Sequence, residues 1–208
     1  MAIAVIDYKA GNLTSVKLAF DAVGADSVIT SDPEIILNSE RVVFPGVGAA
    51  GSAMRNLNDL NLLPIIRRVI EAGIPFLGIC VGTQVLFERS EEDGGTKTLG
   101  FMKGTVDRFL FSDPLVKVPH MGWNQVVFQR KHPLLNGLES GVDFYFVHSY
   151  YPNPADPADC IGTTDYAGCV FTSMAGRKNM VATQFHVEKS GKAGLRMLKN
   201  FTEWDGQC

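Results

Sequence analysis

The sequence predicts an α/β protein with a mostly parallel central sheet, helices on both faces and an antiparallel, β-rich extension. Its first half repeats a strand-then-helix rhythm, and short crossovers between continuously apolar runs mark parallel strands buried on both sides. After Gly94-Gly95 the spacing changes from helical to a succession of strand-length segments, which predicts a mixed or antiparallel continuation of the sheet.

Taken in order, Ala2-Ile3-Ala4-Val5-Ile6 is an apolar run of strand length, and Leu13, Val16, Phe20 and Val23 recur at helical spacing until Gly24 stops them. A shorter strand over Ser27 to Thr30 follows. Asp32-Pro33 then supplies an N-cap and a first helical residue for a short helix through Leu37. Arg41 to Phe44 reads as a third strand, ended by Pro45-Gly46. Pro64 opens a helix with Ile65, Ile66, Val69 and Ile70 on one face, Gly73 closes it, and Pro75 to Ile79 is the next buried strand. Gly82 to Arg89 predicts a further helix. Beyond it, Gly104 to Phe111, Asn124 to Phe128, Asp143 to Val147, Ile161 to Tyr166, Gly168 to Met174 and Asn179 to Phe185 read as strands. Pro152 to Asp159 is a proline-rich connection rather than a domain linker. Ser190 is placed to cap a last helix that buries Met197, Leu198, Phe201 and Trp204.

At 208 residues, 46% hydrophobic and 20% charged, the chain suits one globular domain over residues 1–208. A net charge of -3, with 19 Lys and Arg scattered along the chain, sets up no field that gathers phosphate backbones, so nucleic acid is not expected as a partner. Met1 to Asp7 lacks a basic n-region and turns acidic early, and no apolar run reaches membrane-spanning length. The expectation is a cytoplasmic protein without a membrane partner. Cysteines at 80, 160, 169 and 208 form no CxxC pair and no metal-finger spacing, so free thiols and no metal site are expected.

Gly78-Ile79-Cys80-Val81-Gly82, between a buried strand and a helix, has the form of a nucleophile elbow with cysteine in the serine position. A sharp turn there strains the nucleophile's backbone and crowds its neighbours, so small residues are needed on both sides. Such a turn also aims the Val81 N–H and a helix N-terminus at the reacting centre. On the elbow alone, a buried core thiol accounts for Cys80 equally well. A base decides between them. His132, before Pro133 in a polar loop, reads as a surface residue. His186 follows the apolar strand ending at Phe185, so in a parallel sheet it emerges at the same edge as Cys80. In His186-Val187-Glu188, strand alternation puts both polar side chains on one side, where the carboxylate fixes the imidazole's tautomer. Gly46-Val47-Gly48-Ala49-Ala50-Gly51 matches a dinucleotide-binding GxGxxG. It lies on the third strand, however, and Asn56 to Asn61 continue no obvious apolar helix, so the loop reads instead as a source of backbone N–H groups for an anion.

Asp7 to Asn12, Pro45 to Gly48, Gly78 to Gln84, Gly95 to Gly100, Pro119 to Asn124, His148 to Tyr150 and Gln184 to Ser190 occur in the order found in the class I (triad) glutamine amidotransferases. The chain resembles that family nearly end to end. The run Pro119-His120-Met121-Gly122-Trp123-Asn124 discriminates further, and is similar to the branch that serves as glutaminase subunit of imidazole glycerol phosphate synthase. The resemblance implies the flavodoxin-like architecture of the family, with Cys80 as nucleophile, His186 as general base and acid, and Glu188 as its orienter. It implies an oxyanion hole from Val81 and the Val47-Gly48 turn, and a glutamine clamp from Gln84, His148, Ser149 and Tyr150. It also implies no cofactor, and a heterodimer with a (βα)8-barrel cyclase that consumes the ammonia in histidine biosynthesis. Asn12, Trp123 and Asn124 are placed facing that partner, with a core position for Trp123 as the alternative. The family often has glycine at position 9, a larger apolar residue at 83 and proline at 187, where this chain has Lys9, Thr83 and Val187. Two other readings remain open on these residues: a paralogue feeding ammonia to a surface-sugar synthase, and a binding module with a vestigial site.

Overall fold

The computed structural model describes residues 3–9 and 11–207. Met1, Ala2 at the expected start of the first strand, Ala10 within the Asp7 to Asn12 motif and Cys208 lie outside the described residues. The first half runs β1 (Ile3–Ile6), α1 (Leu13–Ala22), β2 (Ser27–Thr30), α2 (Pro33–Leu37), β3 (Arg41–Gly46), α3 (Ala50–Asp59), α4 (Leu63–Glu71), β4 (Phe76–Cys80) and α5 (Val81–Gln84). The second half contributes β5 (Arg89–Ser90), β6 (Thr96–Lys97), β7 (Gly104–Arg108), β8 (His120–Phe128), β9 (Val142–His148), β10 (Tyr150–Pro154), β11 (Cys160–Tyr166), β12 (Cys169–Arg177), β13 (Met180–Thr183) and α6 (Gly191–Glu203).

A nine-stranded sheet has the order β2-β1-β3-β4-β13-β12-β11-β8-β9. From β2 to β13 every pairing is parallel, and from β13 to β9 every pairing is antiparallel. The chain steps from β1 outward to β2 and then back past β1 to β3, so right-handed crossovers put α1 and α2 on opposite faces. Accordingly α1 packs with α6, and α2 with α4. The strands β1, β3, β4 and β13 are buried at nearly every position, as expected of strands covered on both sides. Arg41 at the start of β3 closes the last helix: its guanidinium donates to the carbonyls of Phe201 (2.8 Å) and Trp204 (3.0 Å).

The β-rich half departs from a simple extension. Strands β10, β7, β5 and β6 form a separate four-stranded sheet, because the chain changes sheets at Ser149: His148 pairs with His120, and Tyr150 pairs with Arg108. The helix expected over Gly82 to Arg89 stops at Gln84. The returning chain takes its carbonyls: Val85 O accepts from Leu99 N, Leu86 O from Met102 N, and Phe87 O from Gly100 N and the Thr98 hydroxyl. Conversely, a helix does follow the GxGxxG loop. It escapes an apolar-periodicity reading because its buried face is built from Ala50, Gly51, Ala53 and Leu57.

Two local expectations are also corrected. Ser190 does not cap the last helix with its side chain; its hydroxyl donates to His186 O (2.6 Å) and accepts from Tyr145 N (3.0 Å). His132 is not at the surface. The turn through Leu134 and Leu135 buries both leucines and draws the imidazole against Trp204, where Nδ1 accepts from Leu134 N.

Close approach governs the elbow. A Cβ on Gly82 would overlap the Phe44 carbonyl, and one on Gly78 would come within 2.7 Å of Gly82 O. Gly82→Ala should therefore destabilise the fold by about 3 kcal/mol, as over-packing against backbone does, read as a lower urea midpoint at unchanged slope. Burial, aided by the charge on Arg130, lowers His132 from 6.5 to about 4. Between those values the unfolded chain holds a proton that the folded chain refuses, so stability is full above about pH 6.5 and is lost as pH falls toward 4. His132→Asn, which keeps an acceptor for the Leu134 N–H, should flatten that acid limb in a urea series across the same pH range.

Candidate active site

Parallel pairing brings three strand ends to one edge. Gly46 on β3 stands opposite Cys80 on β4, and Ile79 stands opposite Thr183 on β13. The chain beyond β13 therefore delivers Gln184 and His186 beside Cys80 although they are distant in sequence. Cys80 occupies φ 54, ψ -109, a region that only a turn held on both sides sustains. It is 5% exposed, at the floor of a cavity of about 320 Å³ lined by Val47, Gly48, Val81, Gln84, His148, Ser149, Tyr150 and His186, with Glu92 and Pro119. That volume lies at the small end of small-molecule sites.

His186 lines the same cavity as Cys80 and, through Nδ1, hydrogen-bonds Glu188 Oε1 at 2.8 Å. The expected strand alternation is not what joins the pair: Val187–Lys189 is a 3-10 turn. It is fixed by Lys189 N donating to His186 O, Ser190 N donating to Val187 O, and His186 N donating to Tyr145 O. These bonds supply the constraint that a proline at 187 would otherwise add. Glu188 Oε1 also accepts from Asn12 Nδ2 at 2.6 Å, so the amide expected to face a partner is spent on the carboxylate. Oε2 is buried without a partner, a cost that favours a cationic neighbour. Burial pushes His186 down, but its interactions with Cys80 and Glu188 outweigh that and raise it to about 10.

The cavity wall is a hydrogen-bonded network. Gln84 Nε2 donates to Tyr150 O (3.2 Å) and Gln184 Oε1 (3.1 Å), and Gln184 Nε2 reaches the Cys80 sulfur at 3.7 Å. His148 Nδ1 faces Tyr150 O at 2.8 Å and must be the protonated nitrogen, so Nε2 accepts from His120 Nδ1 at 3.1 Å. His120 Nε2 then accepts from Asn124 Nδ2 at 3.3 Å. Burial lowers His148 to about 3 and His120 to about 4, keeping both neutral. Asn124 thus points its amide inward, to His120 and to Asp165 O. Trp123 is 58% exposed rather than in the core, and Met121, two residues earlier on the same strand, is 64% exposed.

Sequence reasoning missed Gln184 and Glu92. Parallel register pointed to the first, since the residue after the partner of Ile79 must neighbour Cys80. No local signal marked the second. The anion at the GxGxxG loop is the protein's own, because Glu92 Oε2 accepts from Ala50 N at 2.7 Å. Of the unusual residues, Thr83 has a physical explanation, its hydroxyl being spent on Gly78 O (3.1 Å) and Thr183 O (2.6 Å), whereas Lys9 adopts φ 64, where glycine is least strained, and nothing in the structure explains the lysine. Among the described residues, no group of three His, Cys, Asp or Glu is arranged to hold a metal, and no helix is long and apolar enough to cross a membrane.

A cysteine on a strained strand-to-helix turn, with an imidazole and a carboxylate delivered by the chain beyond the neighbouring parallel strand, is the arrangement of an enzyme that uses an activated thiol. Residues 4–204 match the family model of class-I glutamine amidotransferases. Imidazole glycerol phosphate synthase subunit HisH of Chromobacterium violaceum is 50% identical over 99% of both chains, and that of Aquifex aeolicus is 50% identical over 95% of this chain and 94% of its own. The chain belongs to the class-I glutamine amidotransferases and, within them, to the HisH family. Among solved structures, one titled glutamine amidotransferase superposes with a TM-score of 0.76 at 15% identity, covering 99% of this chain and 100% of the other. PurLQS from Thermotoga maritima gives 0.75 at 17%, covering 97% of each. At such identities these likenesses speak for the fold.

Because the folded state raises His186, its stabilisation is fully present below about pH 6.5 and is lost as pH rises through about 10. Glu188→Gln removes the anion, so the His186 titration followed by imidazole NMR should move down toward the ordinary range. Stability at neutral pH should fall by about 2 kcal/mol.

Proposed function

We propose that this chain hydrolyses glutamine to glutamate and passes the ammonia to a (βα)8-barrel cyclase, its partner in a heterodimer that makes imidazole glycerol phosphate and AICAR in histidine biosynthesis. What supports the reading is one juxtaposition: Cys80 and His186 at one amino-acid-sized cavity, with Glu188 hydrogen-bonded to the imidazole, in a chain half identical to HisH subunits. The Cys80 thiolate attacks the amide carbon of glutamine, giving a tetrahedral oxyanion held by the N–H groups of Val81 and the Val47-Gly48 turn. The intermediate collapses as His186 donates its proton to the departing ammonia, leaving a γ-glutamyl thioester. Water, deprotonated by His186, attacks the thioester and releases glutamate. Glu188 holds the imidazole through Nδ1 and stabilises its cation in both steps.

Gln84 and the His148-Ser149-Tyr150 segment are proposed to hold the α-amino and carboxylate end of the substrate. Glu92, the further carboxylate lining the cavity, suits the α-ammonium. Met121 and Trp123 present an apolar face on β8, which begins at His120 next to the cavity-lining Pro119, and this face is assigned to the cyclase.

Glutamate release should rise when the cyclase is added. Cys80→Ala should remove glutamine-dependent synthesis by the complex, by at least about 10³-fold, while synthesis from added ammonia persists. Undiminished glutaminase turnover by Cys80→Ala would overturn the mechanism. Trp123→Ala should weaken the complex by about 2 kcal/mol, measured by calorimetry, as loss of an exposed aromatic anchor does.

A further inference from the structure

Helix α3 begins at Ala50 directly after the turn that carries Val47 and Gly48. Its N-cap residue, Ala49, already has the extended backbone of a capping position, φ -100 and ψ 144, but its methyl group offers no acceptor. The acceptor comes from elsewhere: Ala50 N–H donates to Glu92 Oε2 at 2.7 Å, forty-two residues away in sequence. Glu92 is itself held on both sides. Its N–H donates to Ser90 Oγ (3.2 Å), and its carbonyl accepts from Gly95 N (3.0 Å) and Thr96 Oγ1 (3.3 Å). Ser90 is fully buried in β5, so the carboxylate is tied to the second sheet.

The turn between the sheet and α3 is three residues long, Val47-Gly48-Ala49. One end is fixed by Gly46, which stands opposite Cys80 in the ladder, and the other by the Glu92 bond. Glu92 also lines the same cavity as Val47, Gly48 and Cys80. We infer that Glu92 supplies the capping acceptor of α3 from the second sheet, and that through this bond it positions the Val47-Gly48 turn for attack at Cys80. The inference rests on the glutaminase reading above and gives Glu92 a positioning role besides any contact with substrate. Burial pushes the Glu92 carboxyl up while the Ala50 N–H lowers it, the balance expected of a carboxylate drawn into a half-buried cap.

The test separates positioning from substrate contact with two variants assayed in the complex with the cyclase. Glu92→Ala removes both roles. Glu92→Ala combined with Ala49→Ser restores a local cap in the backbone conformation that already suits it, without returning a carboxylate to the cavity. Glu92→Ala should speed amide exchange over Ala50 to Ala53, raise KM for glutamine and lower kcat about tenfold, the worth of one helix cap. Adding Ala49→Ser, whose hydroxyl reaches the N–H of Gly51 or Ser52 rather than that of Ala50, should restore the exchange protection of those two amides and most of kcat while KM stays high. Unchanged kcat in Glu92→Ala would overturn the inference, as would unchanged exchange, or restored exchange with kcat still low. A wild-type complex that releases no glutamate would instead defeat the glutaminase reading, and the exchange arm would still decide whether Glu92 caps α3.

Discussion

The pairing of β4 with β13 is the constraint on which the site depends. It joins segments about a hundred residues apart in register, Phe76 with Met180 through Ile79 with Thr183. Both strands run the same way, so both chains leave the sheet at the same edge. Everything chemical follows from what each chain does next. Beyond Ile79, Cys80 turns into a left-handed conformation that brings Gly82 against the Phe44 carbonyl. Beyond Thr183, the chain enters a 3-10 turn that folds Glu188 back onto His186. A slip of one residue in this ladder would send the β13 side chains to the opposite face and part the imidazole from the sulfur. Thr83 guards against such a slip, since its hydroxyl bonds carbonyls of both strands.

The first half of the fold was legible because its signals are local and mutually consistent. Asp32-Pro33 reads as a helix start, and the Asp32 side chain does accept from Glu34 N. The failures share a cause, which is that long-range hydrogen bonds override local preference. Residues 85 to 87 have the composition of a helix, yet their carbonyls are claimed by residues 98 to 102. Ser190 has the composition of a cap, yet its hydroxyl is claimed by His186 and Tyr145. The second sheet was illegible for a related reason. Alternation along a strand identifies a strand but not which sheet it joins, and the exchange at Ser149 leaves no compositional trace.

For the candidate site, the residues of the edge were readable and those of the walls were not. Cys80 and His186 each follow an apolar strand, so topology alone aligns them. Glu188 was placed beside His186 through alternation, whereas the structure brings them together through a turn. Asn12 and Glu92 approach from loops, and no periodicity predicts where a loop side chain points. The amides of Asn12 and Asn124 illustrate the difference. Their types suited an outward face, but buried acceptors on Glu188 and His120 claimed them.

Electrostatics separates the one imidazole that can carry a proton from those that cannot. His186 and His148 are both buried and line the same cavity, and His120 lies behind them. Burial alone would make all three neutral. For His148 and His120 burial prevails, over the opposing bond of His148 to the Tyr150 carbonyl, and both remain neutral down to about pH 3 and 4. His186 alone has a carboxylate at 2.8 Å and a thiol on its other side, which reverses the effect of burial. Tyr8, buried and without a hydrogen-bond partner for its hydroxyl, is kept neutral by burial and by any negative charge on the Cys80 sulfur. Among the histidines, only His186 can then carry charge at Cys80 near neutral pH, with Glu188 behind it and Glu92 as the further carboxylate of the cavity. The wall of Gln84, Gln184 and His148 supplies dipoles held by hydrogen bonds, so their orientation is fixed before charge develops at Cys80.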